Sequence, residues 1–279
     1  MARLPRLPDL LTTANLACGV LSILLASQGQ LTAACWLVFA AAVFDVFDGL
    51  AARALGGGSP LGAQLDSLAD LVSFGVAPGM ILWEAPATLA DPYGQFFGLV
   101  AAKAIGVVCI TVASAWRLAK FNLDTRQTSG FLGLPTPSNG LFWVSMTLGS
   151  TGAAVHPGPG HDQLIGIALQ LLSSPFALLA QALVLSGLML SELPLPSLKF
   201  KHFRWPGNQV IYLLGGLGAV LVVLYGILAV PLILVLSAVG TYAINNNPVD
   251  VYWMLGFGLL GYFFKMYGYQ VGPIILGII

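Results

Sequence analysis

Long stretches of this chain run with almost no charge, and that constrains its fold more than anything else. The apolar runs are 10–27, 31–55, 62–84, 96–119, 137–155, 174–191, 209–228, 230–244 and 251–267. A hydrocarbon core takes about 20 helical residues to cross, and only a helix or a closed barrel satisfies its backbone there. Charged residues are 8% of the chain, against about 25% in an ordinary soluble domain. The expectation is an all-α polytopic bundle of about eight spans, with 251–267 as an extra C-terminal hydrophobic segment. A soluble enzyme, a disordered chain and a nucleic-acid binder with a basic surface are excluded. The short apolar stretch 162–172, stopped by Pro175, is expected to be an interfacial helix, and Pro231 to hinge 209–244.

Basic residues set the orientation. With the N-terminus in the cytoplasm, the inner loops hold Arg3, Arg6, Arg53, Arg117, Lys120, Arg126, Lys199, Lys201 and Arg204. The outer loops, 28–30, 85–95 and 156–163, hold none. Lys103 and Lys265 lie within spans, where their ammonium groups are expected to snorkel. The basic stretch around 194–208 reads as a cytoplasmic loop near anionic lipid. Cys18, Cys35 and Cys109 sit inside apolar runs, without metal-ligand spacing, and read as small buried hydrophobes. No cleavable leader is expected, because 10–26 lacks a small-residue cleavage pattern and contains Asn15.

Four of the 11 acids fall between residues 45 and 70. A carboxylate inside a membrane span is expensive and marks function by default. Asp45 and Asp48 are three apart and share a helix face; Asp66 and Asp70 are four apart and share another. Gly56-Gly57-Gly58-Ser59-Pro60 between them is a turn by composition. A helical hairpin then brings the two pairs face to face. Four carboxylates without a nearby His or Cys favour hard divalent cations: Mg²⁺, Mn²⁺ or Ca²⁺. One or two such ions clamp a phosphoryl group in transfer. Gly49 and Ala52 leave room for close approach of a ligand, Arg53 can pair with phosphate, and Gly62 opens the second helix at the same level.

Residues 45–70 read DVFDGLAARALGGGSPLGAQLDSLAD. They resemble the signature of the CDP-alcohol phosphatidyltransferase family, D-x2-D-G-x2-A-R-x8-G-x3-D-x3-D, at all eight fixed positions: Asp45, Asp48, Gly49, Ala52, Arg53, Gly62, Asp66 and Asp70. The resemblance implies that Asp45, Asp48 and Asp66 ligate two divalent cations, Mg²⁺ or Mn²⁺, and that Asp70 is both ligand and general base. It implies a CDP-diacylglycerol site at Gly49, Ala52, Arg53, Ser59 and Gly62. Leu11-Thr12-Thr13-Ala14-Asn15-Leu16 resembles the first helix of the phosphatidylserine synthase subgroup, where the Asn lies near the nucleotide. Residues 66–78, Arg117-Leu118-Ala119-Lys120-Phe121-Asn122, Gly133-Leu134-Pro135-Thr136-Pro137 and 197–201 are similar to the same subgroup.

The implied reaction is CDP-diacylglycerol plus L-serine giving phosphatidylserine and CMP, in a phospholipid-synthesising transferase of the inner membrane with its site on the cytoplasmic face. Another acceptor, inositol phosphate or glycerol phosphate, stays open. Arg117 and Lys120 are the candidate acceptor-binding residues, against positive-inside anchoring as the alternative. Thr136 and Ser138 are not expected to polarise a substrate. A homodimer is implied by resemblance, and a nucleic-acid partner is not expected.

The end of the chain departs from this pattern. From about 233, Ala243-Ile244-Asn245-Asn246-Asn247-Pro248-Val249-Asp250-Val251-Tyr252 and the Gly-rich run after it resemble part of the large membrane subunit of tripartite tricarboxylate transporters. The expected domains are 1–232, the transferase, and 233–279, a fused tail or an added span. A fragment of this length does not by itself make a transporter, because alternating access needs paired repeats around a midplane site. A transporter-like membrane component is the non-enzyme alternative.

Overall fold

The structure is a computed structural model. It describes residues 6–57, 59–85, 94–123, 131–151, 161–192, 194–195, 216–217, 220–222, 226–231 and 233. Met1–Leu234 form one compact unit; Val235–Ile279 form a second, wholly outside the described residues.

The described residues are helical apart from one two-residue ladder. The helices are α1 (Leu7–Ser27), α2 (Leu31–Ala54), α3 (Pro60–Asp70), a π-helical turn (Leu71–Val76), α4 (Ala77–Glu84), α5 (Gly94–Leu123), α6 (Thr136–Ser150), α7 (His161–Ser173) and α8 (Pro175–Leu190). A 3-10 turn covers Gly226–Leu228. Among the described residues, four segments are long and apolar enough to cross a membrane: Leu7–Ser27, Leu31–Ala54, Pro60–Glu84 and Gly98–Leu123. Ile165–Ser173 and Pro175–Leu190, bent by 89°, make a fifth if they are one span. The bend sits at Pro175, where sequence places the break. Within the predicted span 137–155 the described helix is α6, whose 15 residues are fewer than a crossing takes; 152–155 lie outside the described residues. The predicted spans 209–228 and 230–244 fall mostly outside the described residues, and 251–267 wholly so.

α1 buries Thr12, Asn15, Gly19, Ser22 and Ala26, a stripe spaced three and four residues apart. Its other face exposes Leu10, Val20, Leu21 and Leu24, as a lipid-facing surface should. α2 buries Ala34, Val38 and Ala41, and the same spacing carries its stripe on to Asp45 and Asp48. In lipid, association of helices comes from close packing and hydrogen bonds. Small residues supply it here: Ser22 Oγ donates to the Ala34 carbonyl at 2.8 Å. A side chain at Gly19 would overlap Ser73 Oγ and lie 2.9 Å from Ser73 Cα.

α6 is buried on almost every side. Phe142 and Trp143 pack with Leu82, Ile110, Leu172 and Leu178 on one side. Val144 and Leu148 pack with Val38, Phe74 and Ile81 on the other. A Cβ on Gly140 would lie 2.8 Å from the Phe74 carbonyl oxygen, so α6 presses directly on the π turn. The start of α6 is pinned by Gly133, at φ +73°, where an added Cβ would come within 2.6 Å of the Ser191 oxygen. Next to it Phe131 pairs with Leu195 and Leu132 with Pro194, a short antiparallel ladder that sequence does not foretell. Lys103, predicted to snorkel, instead donates to the carbonyls of Trp83 at 3.0 Å and Ala85 at 2.6 Å and so closes the end of α4.

Candidate active site

The turn between α2 and α3 uses Gly56 at φ +86° and Gly57 at φ +112°, values that favour glycine. Ser59 then caps α3, accepting from Gly62 N–H at 2.9 Å. That reversal sets Asp45 and Asp48 of α2 against Asp66 of α3. One carboxylate oxygen from each of the three lies within 4.8 Å of the others. Ligands about 2.0–2.6 Å from a hard divalent cation can stand up to roughly 5 Å apart, so an ion fits among them. Asp66 Oδ1 is buried without a hydrogen-bond partner, an orphan that a cation would satisfy. The residues present therefore fit a divalent metal. Asp70 lies one turn beyond Asp66 on the same helix.

Both buried acids are held from α1. Thr12 Oγ1 donates to Asp48 Oδ2 at 2.7 Å, and Thr12 is 4% exposed. Asn15 Nδ2 donates to Asp70 Oδ1 at 3.3 Å. Ser73 Oγ, in the π turn, donates to the Asn15 carbonyl at 3.0 Å and fixes α1 against the helix that carries Asp70. Single π turns recur at functional sites, where the extra residue re-phases a helix. Here it separates the acid-bearing α3 from the core-packing α4.

A cavity of about 140 Å³ opens beside the acids. Its walls include Arg6, Asp9, Thr12, Asp48, Gly49, Ala52, Ser59, Gly62 and Asp66. Small side chains keep it open: an added Cβ on Gly62 would lie 2.9 Å from Asp9 Oδ1. Arg53 is exposed and lies over Gly49, 3.7 Å from where a Cβ would stand. Asn15 is fully buried and engages Asp70; it is not part of this cavity wall.

The two candidate acceptor residues part company. Arg117 is 7% exposed, it feels the charge of Asp70, and its Nη1 donates to Thr136 Oγ1 at 3.4 Å. Its guanidinium stands 5.8 Å over the Phe121 ring, and its Nε has no partner. Lys120 is exposed. Thr136, which sequence sets aside, is fully buried at the amino end of α6. Sequence reasoning also passes over Thr12, Asp9 and Asn139. Thr12 and Asn15 had a signal: polar residues at helical spacing on one face of an apolar run.

Residues 6–195 match the family model described as CDP-alcohol phosphatidyltransferase. Residues 209–276 match that of the tripartite tricarboxylate transporter TctA family, which starts before the expected boundary at 233. The CDP-diacylglycerol–serine O-phosphatidyltransferase of Bacillus subtilis is 33% identical over 144 residues, 50% of this chain and 75% of the relative. The protein of that name from Helicobacter pylori is 36% identical over 143 residues, 50% of this chain and 56% of the relative. The archaetidylserine synthase of Methanothermobacter thermautotrophicus is 38% identical over 133 residues, 47% of this chain and 53% of the relative. The chain thus spans three quarters of the first and little more than half of the other two. Among solved structures, the Mycobacterium tuberculosis phosphatidylinositol phosphate synthase with CDP-DAG bound is similar at a TM-score of 0.42 and 25% identity, over 64% of this chain and 86% of that one. The match of residues 6–195 covers well over half of the sequence, and the chain belongs to the CDP-alcohol phosphatidyltransferase family.

Proposed function

We propose that this chain transfers a phosphatidyl group from CDP-diacylglycerol to the hydroxyl of L-serine, giving phosphatidylserine and CMP. The observation that carries the proposal is the convergence of Asp45, Asp48 and Asp66, with Asp70 gripped by Asn15 beside them. The serine acceptor is supported by the names of the relatives. Asp45, Asp48 and Asp66, with Asp70 at their edge, would hold Mg²⁺ or Mn²⁺, in one or two ions. Such ions, when bound, neutralise a pyrophosphate and stabilise a leaving phosphate.

The chain's own residues do the rest. The cavity lined by Gly49, Ala52, Ser59 and Gly62 takes the CDP portion, and Arg53 pairs with its phosphates. Asp70 accepts the proton of the serine hydroxyl. The serine oxygen bonds to the β-phosphorus, which bears diacylglycerol, as the bond from that phosphorus to the bridging oxygen breaks. CMP leaves with the electron pair. Arg117 holds the serine carboxylate. The site opens to the cytoplasm, the bundle has about eight spans and works as a homodimer, and 233–279 is a fused segment.

Purified protein given CDP-diacylglycerol and labelled L-serine should make labelled lipid with Mg²⁺ or Mn²⁺ and none with EDTA. CMP release with inositol phosphate or glycerol phosphate, and no product with serine, would move the assignment to those alcohols. Deletion after about Tyr242 should leave transfer intact; loss of a transport activity instead would favour the transporter-like alternative.

A further inference from the structure

We propose that Asn139 determines acceptor specificity: with Arg117 and the amino end of α6, it recognises the carboxylate and ammonium of an α-amino acid. The inference rests on the serine assignment above and names the residues that enforce it. Asn139 is fully buried, and among the described residues neither its Oδ1 nor its Nδ2 has a hydrogen-bond partner. An unpaired carboxamide in a protein interior is costly and rare; something polar is meant to meet it. Asn139 stands three residues after Thr136, so the two are neighbours on one helix face. Thr136 Oγ1 meets the Arg117 guanidinium, whose Nε is also buried and unpartnered. The charge of Asp70 acts on that guanidinium.

The amino end of α6 adds a third element. Its first turn carries no side-chain cap, and Pro135 precedes it. A helix amino end bears partial positive charge and favours an anion. Two independent, buried, unpartnered groups therefore flank a helix terminus that attracts negative charge. The charge count selects the ligand. One guanidinium and one helix terminus match a single carboxylate; a phosphate dianion beside four aspartates would call for more cations. The carboxamide is neutral and two-sided. Its Oδ1 can accept from an ammonium while its Nδ2 donates to a carboxylate oxygen. That pairing fits a zwitterion and leaves the hydroxyl free for Asp70.

The test uses the full chain in detergent with CDP-diacylglycerol and Mn²⁺. Asn139→Leu keeps the branching of the side chain and removes both polar atoms. Its KM for L-serine should rise about ten- to hundredfold, the loss expected for hydrogen bonds to charged groups. Its KM for CDP-diacylglycerol should not follow. Wild-type protein should prefer L-serine over ethanolamine, which lacks the carboxylate, and over 3-hydroxypropionate, which lacks the ammonium. This second arm needs no variant to fold. An unchanged serine KM in Asn139→Leu would mean that the carboxamide holds only water, and overturns the proposal while serine transfer stands. Equal use of ethanolamine and serine also overturns it. Metal-dependent CMP release with a phosphorylated alcohol and none with serine would bring down the serine assignment itself.

Discussion

Replacing Thr12 by valine exchanges one hydroxyl for one methyl at a site that is 4% exposed. The shape is nearly kept, so the change isolates a hydrogen bond. Thr12 Oγ1 has one proton and two acceptors in reach: Asp48 Oδ2 at 2.7 Å and the Pro8 carbonyl at 3.0 Å. The carboxylate is closer and charged, and takes the proton. Valine takes away the hydroxyl donor that Asp48 Oδ2 has in the structure. A hydrogen bond to a charged group is worth about 1.5–3 kcal/mol. Loss of a group that orients a metal ligand costs about ten- to hundredfold in metal affinity, and the two scales agree. Mn²⁺ binding, measured by calorimetry or by loss of the free-ion spin-resonance signal, should weaken by that factor in Thr12→Val. Thr12→Ser keeps the donor and should recover most of it. The Mn²⁺ dependence of CMP release should shift in parallel. Wild-type Mn²⁺ affinity in Thr12→Val would mean that Asp48 needs no support from α1.

Four further outcomes follow from the same geometry. Asp70→Asn should lower transfer by at least about 10²-fold, the smaller end of a general base's contribution, read as CMP release at saturating Mn²⁺. Gly19→Ala drives a methyl into Ser73 and should lower stability by about 1–3 kcal/mol, read as a drop in melting temperature together with lower transfer as Asn15 is displaced. Gly133→Ala combines a left-handed backbone with carbonyl oxygens of Ser191 and Met189 within 2.7 Å, and should unfold at lower temperature still. Lys103→Met strips the end of α4 of two charged hydrogen bonds and should cost about 1–3 kcal/mol in thermal stability, with the KM for serine unmoved.

Much of the site was legible because chemistry and spacing coincide there. Asp45 and Asp48 continue the buried stripe Ala34–Val38–Ala41, so helical periodicity alone points them inward. The Gly-rich turn at 56–57 and the Ser59 cap explain why Asp66 returns to meet them. The helices α1, α2, α5 and α8 follow from apolar runs of sufficient length. What was hidden depends on contacts between distant segments. Nothing in the run around Leu71 announces a π turn, because it arises where Ser73 meets α1 and Gly140 meets Phe74. Asn15 resembles a nucleotide contact by its place in the sequence; that its amide also reaches Asp70, 55 residues on, shows only in the fold. Lys103 looked like a snorkelling lysine, since its carbonyl partners sit some 20 residues away. Thr136 and Asn139 looked like loop polarity after a Pro-rich stretch. Only the burial of α6 turns them into candidates for a binding site.

The decisive measurement is the balance of CMP released against labelled lipid formed from CDP-diacylglycerol and labelled L-serine. The expected result is one CMP for each phosphatidylserine with Mn²⁺, neither product with EDTA, and neither with Asp70→Asn. CMP without labelled lipid would contradict serine as the acceptor. Labelled lipid made by Asp70→Asn at the wild-type rate would contradict the role given to that carboxylate.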